Sequence, residues 1–120
     1  LDPHDRRAPA NLGLALARLQ RDDAAVPYLR DALVSDPDNI DLQSALGLSL
    51  ARRQRLAQAL PLLRFVARAR PANADAHYNY GLALLLNGEK YPAAQELAQA
   101  LKPNPSYAAA AAALRAARAH

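Results

Sequence analysis

The chain has 120 residues and a formal net charge of +4, from 15 Lys and Arg against 11 Asp and Glu. It contains no cysteine, which excludes a disulfide framework, a thiolate metal site and a cysteine nucleophile. Alanine and leucine dominate the apolar residues, and no apolar run approaches the ~18 residues of a membrane span, so we expect an all-α fold without a membrane-spanning segment.

The chain begins with a short turn. Its Asp2-Pro3 pair recurs as Asp36-Pro37, where we expect the first complete helix pair to end. We therefore interpret residues 1–5 as the remnant of an upstream repeat, and we expect the chain to be a piece of a longer protein.

Seven helices are predicted after this turn. Pro9 is tolerated in the first turn of the first helix, and Asp22 or Asp23 is the expected N-cap of the second. Asn39 and Asn73 supply turn and cap chemistry after two prolines, and Asn87-Gly88 is a helix stop. The predicted helices span residues 8–20, 23–35, 40–53, 56–69, 74–87, 90–102 and 106–119.

The helices recur at a constant interval along the chain. Gly13, Gly47 and Gly81 are evenly spaced and occupy one slot of this period. Two unrelated residue types keep the period, because the prolines are spaced in the same way, at Pro3, Pro37, Pro71 and Pro105. Other slots hold small or large apolar residues, among them Ala25, Ala59 and Ala93, then Leu29, Leu63 and Leu97, then Ala32, Val66 and Ala100. A period of about 34 residues indicates a stacked array of helix pairs.

This pattern resembles the tetratricopeptide repeat (TPR) family, in which L-G-x₂-Y, A-x₃-F and P recur every ~34 residues. The resemblance implies a right-handed superhelical α-solenoid of antiparallel helix pairs forming one domain. We divide that domain into residues 1–5 (upstream remnant), 6–39, 40–73, 74–107 (three repeats) and 108–120 (capping helix).

Each mid-helix glycine needs a structural reason, because glycine costs about 0.5–1 kcal/mol there relative to alanine. We expect the second helix of each pair to approach closely at this slot, with Ala25, Ala59 and Ala93 facing the glycines. The family's large apolar residue four places before the glycine is replaced here by Pro9, Gln43 and His77, so we expect looser packing at the start of these helices.

The resemblance also implies a concave groove lined by the first helix of each repeat. Such a groove suits an extended peptide or an amphipathic helix, and asparagine at matching depths can bind a peptide backbone. Carried over slot by slot, the candidate groove residues are Asn11, Leu14, Arg18, Ser44, Leu48, Arg52, Tyr78, Asn79 and Leu82.

One family function is excluded by the residues present. TPR co-chaperones that hold a C-terminal carboxylate use lysine, arginine and asparagine at defined slots. The matching positions here hold Ala10, Leu14, Ala45, Asp75 and Asn79, so no cation remains to pair with a carboxylate.

Positive charge is concentrated in residues 40–73, where six arginines stand against Asp41 alone. The two interpretations are a basic patch for an acidic partner or nucleic acid, and a solvated face with aspartates of neighbouring repeats as counter-charges. We favour the second and do not expect nucleic acid, because no base-stacking aromatic residues accompany these arginines. The arginines are Arg52, Arg53, Arg55, Arg64, Arg68 and Arg70.

No constellation of catalytic residues is recognised. His4, His77 and His120 lack ligand spacing, and we expect them at the surface ends of helices. Glu89 and Glu96 have no histidine or nucleophile grouped near them in the sequence. We therefore expect no enzyme activity, no cofactor and no metal site.

The leading hypothesis is a protein-interaction scaffold that binds a protein or peptide in its groove. The abundance of alanine and arginine favours a bacterial source, and we expect a soluble, cytoplasmic rather than periplasmic, part of a larger protein. One alternative is the substrate-recognition arm of a larger enzyme, such as a glycosyl- or methyltransferase. Another is a scaffold that self-associates through its C-terminal helix.

Overall fold

The computed structural model describes residues 7–119, and this part of the chain is entirely α-helical apart from its turns. Each predicted helix is present with slightly shifted ends. The seven helices are α1 (Arg7–Arg18), α2 (Asp22–Ser35), α3 (Ile40–Arg52), α4 (Leu56–Ala69), α5 (Ala74–Leu86), α6 (Lys90–Leu101) and α7 (Ala108–Arg118).

The chain divides into two compact units between Leu62 and Leu63, within α4. In the first unit, α1 packs against α2, and both contact α3. In the second unit, α5 packs against α6, and both contact α7.

The slots predicted to be apolar form the core. Leu29, Leu63 and Leu97 are at most 2% exposed, and the alanines four positions before them are completely buried. The third slot, at Ala32, Val66 and Ala100, is buried as well. The repeating pattern therefore predicts these core positions correctly in both units.

The predicted close approach is confirmed at Gly13 and Gly81, but the residue facing these two glycines is different. A Cβ placed on Gly13 would lie 2.9 Å from Leu29 Cδ2 and 3.2 Å from the Leu29 backbone nitrogen. A Cβ on Gly81 would lie 2.8 Å from Leu97 Cγ. The expectation that alanines face the glycines was wrong, because the leucine four positions later fills the space that the missing Cβ leaves.

Two of the expected caps form and one does not. Asn39 Oδ1 accepts from the Leu42 amide at 3.1 Å, and Asn73 Oδ1 accepts from the Ala76 amide at 3.0 Å. The N-cap of α2 is Arg21, which makes no side-chain capping bond, and Asp22 is the first helical residue. The prediction of an aspartate cap was wrong because the carboxylate of Asp22 binds another side chain, described below.

The turns inside the three helix pairs share a backbone conformation with positive φ. The sequence indicates this conformation at only one of the turns, where the residue is Gly88. Gln20, Gln54 and Gly88 occupy one slot of the repeat, and all have positive φ values, of 56°, 63° and 81°. In each turn the next amide donates 2.9 Å back to a carbonyl of the preceding helix, as in a Schellman-type C-cap. Glycine adopts this conformation without strain, whereas the two glutamines adopt it at some cost.

The slot that lacks the family's large apolar residue is closed by hydrogen bonds. Gln43 and His77 are each only 8% exposed. Gln43 Nε2 donates to the Pro37 carbonyl at 2.7 Å, and His77 Nε2 lies 2.7 Å from the Pro71 carbonyl, one period later. The expectation of looser packing was therefore wrong at these two positions, because each side chain ties its helix to the proline turn before it.

His77 also contradicts two further expectations. It is buried rather than at the surface, and its Nδ1 lies 2.9 Å from Glu96 Oε2 of α6. Because both ring nitrogens face partners inside the protein, this His–Glu pair links α5 to α6 and leaves no nitrogen directed at a substrate. His4 and His120 lie outside the described residues.

The last described helix, α7, packs against the helix pair that precedes it. Ala110, Leu114 and Ala117 are buried in the contact of α7 with α5 and α6. Arg115 and Arg118 are exposed, although their slots hold glycine and leucine in the complete repeats.

We predict that Gly81→Ala lowers the free energy of unfolding by about 1–2 kcal/mol. Overpacking against Leu97 costs about 1–3 kcal/mol, which outweighs the gain of up to ~1 kcal/mol in helix propensity. In a Leu97→Ala background the same change should be neutral or stabilising, because the clashing atoms are absent. Denaturant unfolding of the four chains tests this, and an equal effect in both backgrounds would contradict the assigned contact.

We also predict that His77→Ala costs about 1–3 kcal/mol, because it removes two partly buried hydrogen bonds and leaves Glu96 without its partner. His77→Gln should cost less, because glutamine already makes the equivalent bond to the proline carbonyl at position 43. Thermal unfolding at one pH compares the two variants. If glutamine is no better than alanine, the bond to Pro71 is not what stabilises this slot.

Candidate functional site

The first unit carries a cavity of about 500 Å³ between α1 and α3. Its apolar floor includes Leu14 and Leu48, which are half-buried and belong to the same slot of successive repeats. The lining residues are Leu14, Ala17, Arg18, Gln20, Asp41, Ser44, Ala45, Leu48 and Arg52.

A second cavity of about 440 Å³ adjoins the first. Leu14 and Asp41 line both cavities, and Asn11 lines the second. We call the two together the α1–α3 furrow. It brings together six of the candidate residues, namely Asn11, Leu14, Arg18, Ser44, Leu48 and Arg52.

Arg52 lines the furrow but is committed to an internal ion pair. Its Nε and Nη2 bind the two carboxylate oxygens of Asp22 at 2.9 and 2.8 Å, and Nη2 also donates to the Ala17 carbonyl at 3.1 Å. The hydrogen bond from Arg52 lowers the pKa of Asp22, against the opposing effect of burial. The guanidinium of Arg52 therefore joins α3 to the start of α2. Its charge is neutralised by Asp22, although the side chain lines the furrow.

Arg18 differs from Arg52 in this respect. It is exposed at the rim of the first cavity, and no described residue forms a hydrogen bond or ion pair with its guanidinium. Asp41, on the opposite wall, has an interaction within the protein. Arg18 is consequently a cation at the rim of the furrow that forms no ion pair within the described residues.

In the second unit, the ring of the candidate residue Tyr78 packs against the ring of Tyr107. Its ring centroid lies 5.1 Å from that of Tyr107, at an interplanar angle of 35°. Tyr107 OH donates to Asp75 Oδ1 at 2.6 Å, and burial together with this carboxylate raises the pKa of the Tyr107 phenol. Tyr78 thus helps to fix the start of α7, while Asn79 and Leu82 are half-buried on the same helix.

The contacts of Tyr107 with Asp75 and Tyr78 were not predicted from the sequence, because Tyr107 stands in the slot where asparagine caps the earlier repeats. Residues 39, 73 and 107 occupy one slot of the period, and the third is the N-cap of α7 without a side-chain capping bond. Its hydroxyl instead reaches back to α5.

Part of the positive charge of residues 40–73 is neutralised by the preceding repeat. Arg52 pairs with Asp22, and Arg53 Nη1 lies 2.6 Å from Asp23 Oδ1. Arg70 also has an interaction within the protein, whereas Arg55, Arg64 and Arg68 are exposed. Aspartate counter-charges from an adjacent repeat, expected from the sequence, are therefore present for two of the six arginines.

Other kinds of site were sought in the described part of the chain. Residues 7–119 contain no group of three or more His, Cys, Asp or Glu side chains that could hold a metal ion. Among the helices of the same residues, none has the length and apolar character needed to cross a bilayer.

Comparison with known proteins agrees with this fold. The sequence profile of the tetratricopeptide repeat family matches residues 1–40 and 44–108. No match was found among curated protein sequences.

Several solved structures are similar over nearly the whole chain. A MamA fragment from Desulfovibrio magneticus RS-1 has 25% identity and a TM-score of 0.90, and it aligns 97% of this chain with 66% of its own. MamA of strain MSR-1 has 28% identity and a TM-score of 0.86, with 98% of this chain and 67% of its own aligned. YrrB, described as a TPR protein with an unusual peptide-binding site, has 25% identity and a TM-score of 0.83. Its alignment covers 95% of this chain and 59% of that of YrrB.

We predict that Asp22→Asn lowers the free energy of unfolding at pH 7 by about 1–2 kcal/mol, since it breaks a charge-assisted pair. A lowered pKa in the folded state stabilises the fold above the ordinary carboxyl pKa, and this stabilisation is lost as the pH falls through the folded value. The difference from the unmodified chain should therefore shrink below about pH 4.

Asp23→Asn is the matched control, because the Asp23 side chain is 82% exposed whereas that of Asp22 is 11% exposed. It should change stability little at any pH. Equal effects of the two substitutions in denaturant unfolding from pH 3 to pH 7 would show that Asp22 holds no special pair.

Proposed function

Because the chain belongs to the tetratricopeptide repeat family, we propose that it is a non-enzymatic interaction scaffold that binds a protein segment in the α1–α3 furrow. The observation that supports this most is the pair of adjoining cavities, of which Leu14 lines both and Leu48 lines the first. A peptide-binding site is also named for YrrB, one of the similar structures.

The furrow fits a peptide better than a small planar ligand. Pockets for cofactors are usually enclosed and rich in aromatic residues, with a few converging polar groups. Here no aromatic residue lines either cavity, and of the three leucines that line them, Leu14 and Leu48 are half-buried and Leu42 is buried. A leucine-sized side chain of a partner would cover Leu14 and Leu48, while Asn11 and Ser44 offer hydrogen bonds to its backbone.

The charges of the furrow define the partner further. Arg52 is neutralised by Asp22, whereas Arg18 has no ion-pair partner among the described residues, although Asp41 lines the same cavity. An acidic residue close to the apolar anchor of the partner would pair with Arg18 at the rim, where such a pair contributes to specificity and association rate more than to affinity.

We propose further that the scaffold acts within a larger, bacterial protein. The chain spans about two thirds of the MamA chains and 59% of the YrrB chain.

The proposal predicts that peptides selected from a random phage-displayed library carry an apolar residue next to Asp or Glu. Leu48→Arg should weaken the binding of a selected peptide by at least about tenfold, or about 1.4 kcal/mol, because it places a charge on the apolar floor. Arg18→Ala should reduce the preference for the acidic residue and leave the apolar preference. Fluorescence anisotropy with labelled peptides measures both effects.

Val34→Arg is the control, because Val34 is 82% exposed on α2 and lies outside the furrow. Far-UV circular dichroism verifies that each variant keeps its helices. Selected peptides that bind Leu48→Arg as tightly as the unmodified chain would refute the furrow as the binding site.

A further inference from the structure

The α1–α3 furrow runs lengthwise between the two helices that border it. On α1, its second cavity is lined by residues between Arg7 and Leu14, and its first cavity by residues between Leu14 and Arg18. On α3, the second cavity stops at Leu42, whereas the first extends to Arg52. The second cavity therefore lies at the beginning of both helices, and the first cavity lies towards their ends.

The length of the furrow follows from the geometry of α1. This helix has 12 residues, which at ~1.5 Å per residue places the Cα atoms of its two ends about 16 Å apart. An extended peptide advances ~3.3 Å per residue, so about five residues of a partner span the furrow. Leu14 lines both cavities and marks the place for the apolar residue of that partner.

The end of the furrow at the first cavity offers a positive charge. Arg18 forms no ion pair within the described residues, and it is exposed at the rim. The other cation that lines this cavity, Arg52, is neutralised by Asp22. A partner therefore meets the guanidinium of Arg18 at this end.

The end of the furrow at the second cavity offers a negative charge. Asp36 lines this cavity as the exposed C-cap residue of α2, and its Oδ2 accepts from Asn39 Nδ2 at 2.9 Å. A carboxylate has about four acceptor positions, so Asp36 can accept from an incoming cation as well. The other charged residues that line the second cavity, Arg7 and Asp41, already have interactions within the protein.

We propose that the furrow selects a segment with charges of both signs, in which an acidic residue lies beside Arg18 and a basic residue lies beside Asp36. This inference rests on the proposed function, to which it adds the basic residue and the orientation of the segment. Measured along α1 from Leu14, Arg18 is about 6 Å away in one direction and Arg7, at the Asp36 end, about 10 Å in the other. The acid then stands one or two positions from the apolar residue, and the base about three positions away on its other side.

Opposite charges at the two ends fix the orientation of the bound segment. A reversed segment would place its acid near Asp36 and its base near Arg18, so that both attractive pairs would become repulsive. A segment that is acidic at both ends would be repelled at Asp36 only. The two charges therefore discriminate between partners that share the same apolar residue.

Asp36→Asn tests the basic residue, because it removes the charge and keeps an oxygen for Asn39. Peptides are selected from one random library on the unmodified chain and on this variant. We expect Lys or Arg to be enriched about three positions from the apolar residue, opposite the acid, in the first selection only. Replacing that residue by glutamine in a selected peptide should weaken its binding to the unmodified chain about two- to fivefold, and should leave its binding to Asp36→Asn unchanged.

Asp38→Asn is the matched control, because Asp38 is exposed and lines neither cavity. Selection on this variant should enrich the basic residue as it does on the unmodified chain. Loss of the enrichment on Asp38→Asn as well would overturn the assignment of the basic residue to Asp36.

The orientation is tested by cross-linking, since the chain has no cysteine and an introduced thiol reacts alone. Gln20→Cys places a thiol at the first cavity and Ser35→Cys at the second, and both positions are exposed. The probe is a selected peptide with a chloroacetyl group beside its acidic residue, and its rates are divided by those of free chloroacetamide. It should label Gln20→Cys at least about tenfold faster than Ser35→Cys, because binding raises the local concentration of the reagent at one end only. The ratio should invert when Arg18→Asp and Asp36→Arg are introduced together.

The outcomes separate this inference from the function on which it rests. Peptides that bind but show no basic residue, or that label the two cysteines equally, would overturn the inference and leave binding in the furrow intact. Failure to select any peptide, or undiminished binding to Leu48→Arg, would refute the proposed function and this inference with it.

Discussion

The contact between a glycine of one helix and a leucine of the next is the constraint on which the fold depends. At Gly13 and Gly81 the missing side chain lets Leu29 and Leu97 reach within 3.0 Å of where a Cβ would stand. The leucine is completely buried in each case, so the pair gains apolar burial that outweighs the intrinsic cost of glycine in a helix. The crossing also fixes which faces of the first helix remain free for other contacts.

Polar side chains add contacts between helices that differ from one repeat to the next. The ion pair of Arg52 with Asp22 and the hydrogen-bonded pair of His77 with Glu96 both connect one helix to another through partly buried side chains. The hydroxyl of Tyr107 performs a similar task by binding Asp75. The ion pair uses Arg52 and the ring of Tyr107 packs on Tyr78, two residues that a slot-by-slot comparison assigns to binding. Arg18 is left as a cation at the rim of the furrow without an ion pair in the described part of the chain.

The parts of the structure that could be predicted from the sequence are those that recur in every repeat. Helix positions, the core leucines and the Asn39 and Asn73 caps follow from propensity, burial and local hydrogen bonding. The pairs Asp22–Arg52, Asp75–Tyr107 and His77–Glu96 are separated by 30, 32 and 19 positions in the sequence, and each occurs in one place only. The partner of a long side chain depends on which groups the packed fold brings near it. A periodic sequence pattern therefore does not predict these three pairs. The furrow residues could be named in advance, but the commitment of Arg52 and Tyr78 to internal contacts could not.

The two arginines on α7 have a consequence for how such a protein can be lengthened by duplication. A guanidinium side chain at Arg115 occupies the place where a partner helix would need a bare backbone, and Arg118 replaces the leucine that would anchor it. A repeat duplicated directly after α7 would therefore have to cover two guanidinium groups where the complete repeats offer a glycine and a leucine.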